Sequence, residues 1–257
     1  MISFFKGFLL ALQFLTRIPI PLALPWEKST IRGALTSFAL VGFVIGGLLI
    51  SFLYFAYPLL PLWMTAFALL SLWVFLTGGL HLDGLMDVAD ALGSNGSLEK
   101  QRVIMKDPHV GSFSVLVVIF HLGWKTLFIY GLLTSETLEF YQLSFILLSI
   151  PASSRLLALF LLYDVPVMKR EGLAFEWKKY LTVKEIIFAC LPIIIILFFA
   201  PILVLLLTAY FFLFLIGRIW IKRTFHGING DLVGASIEGG ELWGLAIVWI
   251  YISFVMV

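Results

Sequence analysis

The sequence predicts an all-α fold, a polytopic integral membrane helical bundle, and three observations predict it. Of the 257 residues, 61% are hydrophobic and only 12% are charged, against roughly 25% charged in a soluble domain. The apolar runs are long: the 48 positions between Arg32 and His81 hold no Asp, Glu, Lys, Arg or His, whereas one bilayer crossing takes about 20 apolar residues. The basic residues, finally, fall in alternate connections between apolar runs, as cytoplasmic loops do.

About seven stretches are long enough to span: 33–57, 62–80, 112–133, 140–162, 185–200, 201–218 and 241–257. Pro58 and Pro61 mark the turn between the first two. The fifth and sixth are hinged at Pro201, as a tight hairpin or one broken element. The segment 4–16 is apolar but short, which suits an interfacial or half-spanning helix. Arg17 and the IPIPL segment stop it, and no small-residue cleavage site follows, so it reads as a retained segment and not a signal peptide.

Orientation follows from charge. Lys6, Arg17, Lys28 and Arg32 precede the first span, and Lys100, Arg102 and Lys106 lie between the second and third. Lys169, Arg170, Lys178, Lys179 and Lys184 lie between the fourth and fifth, and Arg218, Lys222 and Arg223 close the sixth. Connections 58–61 and 134–139 and the C-terminal end carry no Lys or Arg. This predicts an N-terminus inside and a C-terminus outside. Only Lys125 and Arg155 fall within spans. The net charge of +2 comes with no basic-aromatic patch, so no nucleic-acid partner is expected. Cys190 is the only cysteine, so no internal disulfide forms. No repeat or second soluble domain interrupts the chain, which reads as one membrane-embedded catalytic domain, 1–257.

Most polar signal lies on the predicted cytoplasmic side, in 78–113, 163–184 and 227–241. A scaffold has no need of that asymmetry; an enzyme taking its substrate from one side does. Asp83, Asp87 and Asp90 are spaced i, i+4, i+7. On a helix continuing past Gly79 they share one face, where three like charges call for a cation. Hard divalent ions such as Mg²⁺ take a few carboxylates together with water and substrate phosphates. The competing reading is a solvated acidic helix end. Gly84 leaves room beside the acids for a substrate, and His81 is a candidate base or hydrogen-bond donor. Arg102 and Lys106, four apart before Pro108, suit direct ion pairs to phosphate, or else are ordinary positive-inside charge. Arg155, about two turns inside its span, calls for a phosphate or an aspartate as partner, or snorkels to the headgroups. In 227–241, Asn229, Asp231, Glu238 and Glu241 stand among five glycines; such a loop can wrap phosphate oxygens, its acids serving as ligands or base.

The strings QFLTRIP, GGLHLDGLMDVADALG, RVIMKDPHVGSF and GINGDLVGASIEGGE together resemble the cobalamin synthase family, the adenosylcobinamide-GDP ribazoletransferases, over most of the chain. The resemblance implies a Mg²⁺-dependent enzyme in the cytoplasmic membrane of a prokaryote, its active site facing the cytoplasm. Its substrates would be adenosylcobinamide-GDP and α-ribazole or its 5′-phosphate, and GMP would leave as adenosylcobalamin or its phosphate forms. Asp83, Asp87 and Asp90 would hold Mg²⁺. Arg102, Lys106 and Arg155 would bind phosphate oxygens, with Gly84 and Asn229 also at the substrate. The catalytic candidates are His81, Asp90 and Asp231, with His81 or Asp231 as base. Partners beyond the substrates and the lipid bilayer would be a second copy or other cobalamin-assembly enzymes.

Two rivals come from other classes. An ion-coupled transporter would place its charges near the midplane and show internal repeats; here the acids sit at one face. A CDP-alcohol phosphotransferase making a phospholipid would carry D-x-x-D-G-x-x-A-R, but Leu80 stands where the first Asp belongs.

Overall fold

The computed structural model describes residues 2–197 and 202–255; the expected hinge at Pro201 lies outside them. Among the described residues the regular secondary structure is all helix, with a single isolated parallel bridge, Val167 to Ile228. The helices are α1 (Ile2–Leu15), α2 (Lys28–Thr36), α3 (Phe38–Ala56), α4 (Leu62–Thr77), α5 (Leu80–Gly93), α6 (Leu98–Ile104), α7 (Ser112–Leu133), α8 (Phe140–Asp164), α9 (Leu173–Lys178), α10 (Val183–Leu197), α11 (Ile202–Thr224) and α12 (Gly230–Val255).

Five of these, α3, α7, α8, α11 and α12, are long and apolar enough to cross a membrane, and α4 with α5 form a bent pair that adds a sixth if counted together. The protein is thus a polytopic membrane helical bundle, with fewer long helices than the seven expected. The difference falls at 185–200. There α10 has 15 residues with Pro192 inside it, roughly 22 Å at 1.5 Å per residue, and residues 198–200 lie outside the described part. At 14 residues, α1 is likewise short of a crossing.

Two further expectations are corrected. The second span does not continue past Gly79 as one helix: α4 and α5 meet at 90°. Gly78 and Gly79 occupy the left-handed region at φ 64° and 71°, which glycine adopts without steric cost. The segment 227–241 is not a loop either, because α12 begins at Gly230. Two of its glycines serve helix contacts: a Cβ at Gly234 would lie 3.3 Å from His81 Cα and one at Gly240 would lie 3.0 Å from the Ser154 side chain, while just beyond the segment one at Gly244 would lie 2.7 Å from the Tyr210 hydroxyl.

At the centre stands α8, mostly buried, against α3, α11 and α12. Its contact with α3 is close because α3 presents Gly42 and Gly46, a G-x-x-x-G pair that lets helix backbones approach. A Cβ on Gly42 would sit 2.3 Å from Ala152 Cα, and one on Gly46 would sit 2.6 Å from Leu148 Cα. The outer helices α7 and α11 expose Leu116, Ile119, Phe120, Leu127, Phe211, Phe212 and Ile216, a continuous apolar surface that lipid accounts for.

Because the atoms facing Gly42 are backbone, no side chain can give way. Gly42→Val is expected to destabilise the bundle by at least the roughly 1–3 kcal/mol typical of overpacking. Thermal unfolding in detergent should show a lower midpoint than wild type; an unchanged midpoint would rule out this α3–α8 contact.

Candidate active site

The polar ends of α5, α6, α7, α8 and α12 converge on one end of the bundle. The crossing of α5 with α12 is close. A Cβ on Gly84 would lie 2.7 Å from the Asp231 carbonyl oxygen, and one on Gly234 would lie 3.3 Å from His81 Cα. Gly84 thus sits where α12 packs closest on α5, and it also lines a cavity beside Asp231.

This crossing brings Asp231 beside the acids of α5. Asp87, half-buried, lies within electrostatic reach of Asp231, Asp83 and Asp90. Asp83, Asp87 and Asp90 do keep their helical spacing, but Asp90 does not point its oxygens where the others do. Its carboxylate accepts from the Gly111 N–H at 2.8 Å and the Ser114 N–H at 2.9 Å. It binds the otherwise unpaired donors at the start of α7 and ties that helix to α5. The acids of this crossing left without such a backbone tie are Asp83, Asp87 and Asp231, of which Asp231 has only Asn229 as a side-chain donor. Among the described residues none of the three forms a salt bridge with Lys or Arg, and no three acid, His or Cys side chains already converge as a ready-made metal cluster. Asp231 accepts from Asn229 Nδ2 at 2.7 Å, and Asn229 Oδ1 accepts from Leu232 N at 3.0 Å. Asn229 is therefore the N-cap of α12, as well as a residue at the site.

His81, buried, lines a cavity of about 190 Å³ together with Asp83, Gly84, Gly230 and Asp231. Neither of its ring nitrogens has a hydrogen-bond partner, a costly state for a buried polar group. A neighbouring cavity of about 310 Å³ is lined by Arg102, Lys106, Lys169, Asn229 and Gly230, among others. The Arg102 guanidinium donates to Phe225 O at 3.2 Å, and its buried Nε is unpartnered.

Arg155 departs from expectation. It is fully buried, and its partner is neither a phosphate nor an aspartate but Glu241, at 2.6 Å. Glu241 also accepts from Lys125 at 2.7 Å, Lys125 donates to Glu238 at 2.9 Å, and Glu238 meets the His121 ring at 2.8 Å. Glu238 and Glu241 are accordingly structural partners of cations in the bundle interior, not ligands or bases at its end. Sequence reasoning passed over His121, although His121 and Lys125 are four apart and Glu238 and Glu241 three apart, spacings that put each pair on one helix face.

The geometry is that of acids without paired cations beside a cavity lined by Arg102, Lys106 and Lys169, both near the start of α12. The family model described as cobalamin-5-phosphate synthase matches residues 7–249. The chain belongs to that family. It is 36% identical to the adenosylcobinamide-GDP ribazoletransferase of Halalkalibacterium halodurans, covering 96% of both chains. It is 33% identical to the one from a Geobacillus strain, covering 98% of both, and 30% identical to that of Clostridioides difficile, covering 98% of this chain and 99% of the relative. No solved structure matches it. Family membership makes the polar end, where the motif residues gather, the place to seek the chemistry.

Removing one partner from a buried ion network leaves the other charge uncompensated, at a cost of about 3–5 kcal/mol. Glu241→Leu should therefore lower the unfolding midpoint in detergent sharply. Arg155→Lys should lower it less, since a cation remains. If Arg155→Lys left stability untouched and instead raised KM for a phosphorylated substrate, Arg155 would belong to the site after all.

Proposed function

We propose that the chain is an adenosylcobinamide-GDP ribazoletransferase that joins α-ribazole, or its 5′-phosphate, to adenosylcobinamide-GDP at the polar end of the bundle. The ribazole 3′-hydroxyl oxygen attacks the phosphorus attached to cobinamide. The bond from that phosphorus to GMP breaks, GMP leaves, and a phosphodiester closes the nucleotide loop of adenosylcobalamin or its phosphate. The observation that carries this reading is the set of uncompensated carboxylates, Asp83, Asp87 and Asp231, that the α5–α12 crossing assembles in a chain of this family.

Oxygen donors without a paired cation fit a hard divalent ion. Asp83, Asp87 and Asp231 would hold Mg²⁺, which when bound offsets the negative charge of the diphosphate. Asp90 acts at one remove, holding α7 against α5. His81 takes the proton of the attacking hydroxyl: it is buried beside Asp231 with neither ring nitrogen hydrogen-bonded, which leaves the nitrogen that carries no hydrogen free to accept, and a positioned base of this kind is worth roughly 10²–10⁴-fold. Arg102 and Lys106 bind phosphate oxygens. The distribution of Lys and Arg supports a cytoplasmic position for this end, hence a multi-pass protein of the cytoplasmic membrane with its N-terminus inside and one catalytic unit from end to end.

Purified protein with Mg²⁺, adenosylcobinamide-GDP and α-ribazole 5′-phosphate should release GMP, and EDTA should stop it. Asp87→Asn should lower GMP release at least a hundredfold while the protein still inserts and keeps its unfolding midpoint. His81→Ala should lower kcat by 10²-fold or more. Absence of GMP release in the wild type, or a fully active Asp87→Asn, would defeat the assignment.

A further inference from the structure

The cavity beside the acids contains more positive charge than the motifs account for. Lys106 comes from the turn after α6, whereas Lys169 comes from the segment between α8 and α9. Their ammonium groups both approach the same oxygen of Glu171, at 3.8 and 4.0 Å. Contact with Lys106 holds the Lys169 ammonium below the usual lysine range, and Arg102 adds to the effect. Glu171 is largely exposed, at 69% of its side-chain surface, and cannot offset three cations. Arg102 adds a buried Nε with no partner. Like charges gathered this closely around an unsatisfied donor are the imprint of an anion.

This cavity and the one holding His81, Asp83 and Asp231 share Leu173, Ala174 and Gly230 as walls. None of the α5 aspartates lines the cationic cavity. Among the charged residues lining this cavity three are cations and one is a carboxylate, while Glu99 and Asp107 stand with the same cations around an adjoining opening. A phosphate monoester carries about −1.5 to −2 at neutral pH, while each phosphorus inside a diphosphate diester carries a single negative charge. The excess of cations in the cavity's own lining favours a monoester, and the reacting diphosphate belongs with the carboxylates next door.

We propose that Arg102, Lys106 and Lys169 form a second phosphate site, which holds a phosphate monoester on the acceptor and makes Lys169 a residue that selects phosphorylated over unphosphorylated ribazole. The inference rests on the transferase reading above and adds a separate subsite to it. Lys169 touches the acceptor's phosphate and takes no part at the reacting phosphorus.

The test compares two acceptors on Lys169→Gln. KM for α-ribazole 5′-phosphate should rise about tenfold, KM for α-ribazole should change less than twofold, and Lys169→Arg should restore most of the loss. An equal effect on both acceptors, or a rise in KM for adenosylcobinamide-GDP instead, overturns the proposal. Calorimetric titration of α-ribazole 5′-phosphate into the full-length protein in EDTA separates this idea from the transferase assignment. Binding weakened tenfold by Lys169→Gln supports the subsite even where GMP is not released, and binding indifferent to Lys169 sinks it even where the enzyme is active.

Discussion

The buried ion network of Arg155, Glu241, Lys125, Glu238 and His121 is the interaction on which the rest of the structure depends. It lies eight to eleven residues into α12, roughly 12–17 Å along the helix at 1.5 Å per residue, close to half the thickness of a bilayer core. Single charges there are expensive on any insertion scale. Here two carboxylates face two fixed cations and an imidazole, so the charges balance and each oxygen contact is short. Such a set has one good arrangement. It fixes the rotation of α12 against α7 and α8 together, where apolar side chains alone would tolerate a range.

That rotation matters because of helical period. Asp231, Gly234, Glu238 and Glu241 recur at intervals of three and four, and so form one stripe along α12. Holding the deep half of the stripe in the network aims the shallow half at α5. Gly234 then meets the His81 backbone, and Asp231 lies over Gly84. The same helix face thus carries acids of two kinds. Glu238 and Glu241 are paired and serve the fold, while Asp231 joins Asp83 and Asp87 without a countercharge. The deep acids of α12 find a cation, and among the described residues the acids at the polar end that do not are the ones the proposed chemistry uses.

Much of this was legible in the sequence. The membrane class follows from run length, and the acidic face of α5 from the i, i+4, i+7 spacing, which survived although the helix around it was misread as a continuation of α4. What hid the rest was glycine. A glycine-rich segment reads as a loop, yet Gly234 and Gly240 within 227–241 are where α12 touches α5 and α8. Local pattern cannot distinguish a glycine needed for a turn from one needed for a close helix crossing. At Gly84, too, the sequence pattern did not show that the backbone of α12 would pack against it. Arg155 was correctly singled out as needing a partner, but the partner lay 86 residues away, beyond any local spacing. Asp90 looked equivalent to its neighbours until the start of α7 was brought beside it.

The two halves of the site must also stay apart, and the backbone explains how they do. If Lys106 and Lys169 reached Asp83, Asp87 or Asp231, the ion pairs would neutralise the carboxylates and compete with a divalent ion for them. Between the two sets runs the stretch from Ile228 to Gly230, which carries no charge. It is anchored to the Lys169 segment by main-chain bonds: Met168 N–H donates to Ile228 O at 3.0 Å, and Ile228 N–H donates to Pro166 O at 2.8 Å. Gly227 permits this approach, since a Cβ there would fall 2.8 Å from Met168 N. Asn229 then caps α12 and binds Asp231 from the same position. A neutral strip of backbone, fixed on one side to the cations and on the other to an acid, holds opposite charges in adjoining cavities without letting them collapse into salt bridges. On the proposed reading, an active site that binds one phosphate through a metal and another through bare cations needs such a partition, because lysines that reached the carboxylates would occupy the oxygens a metal would take.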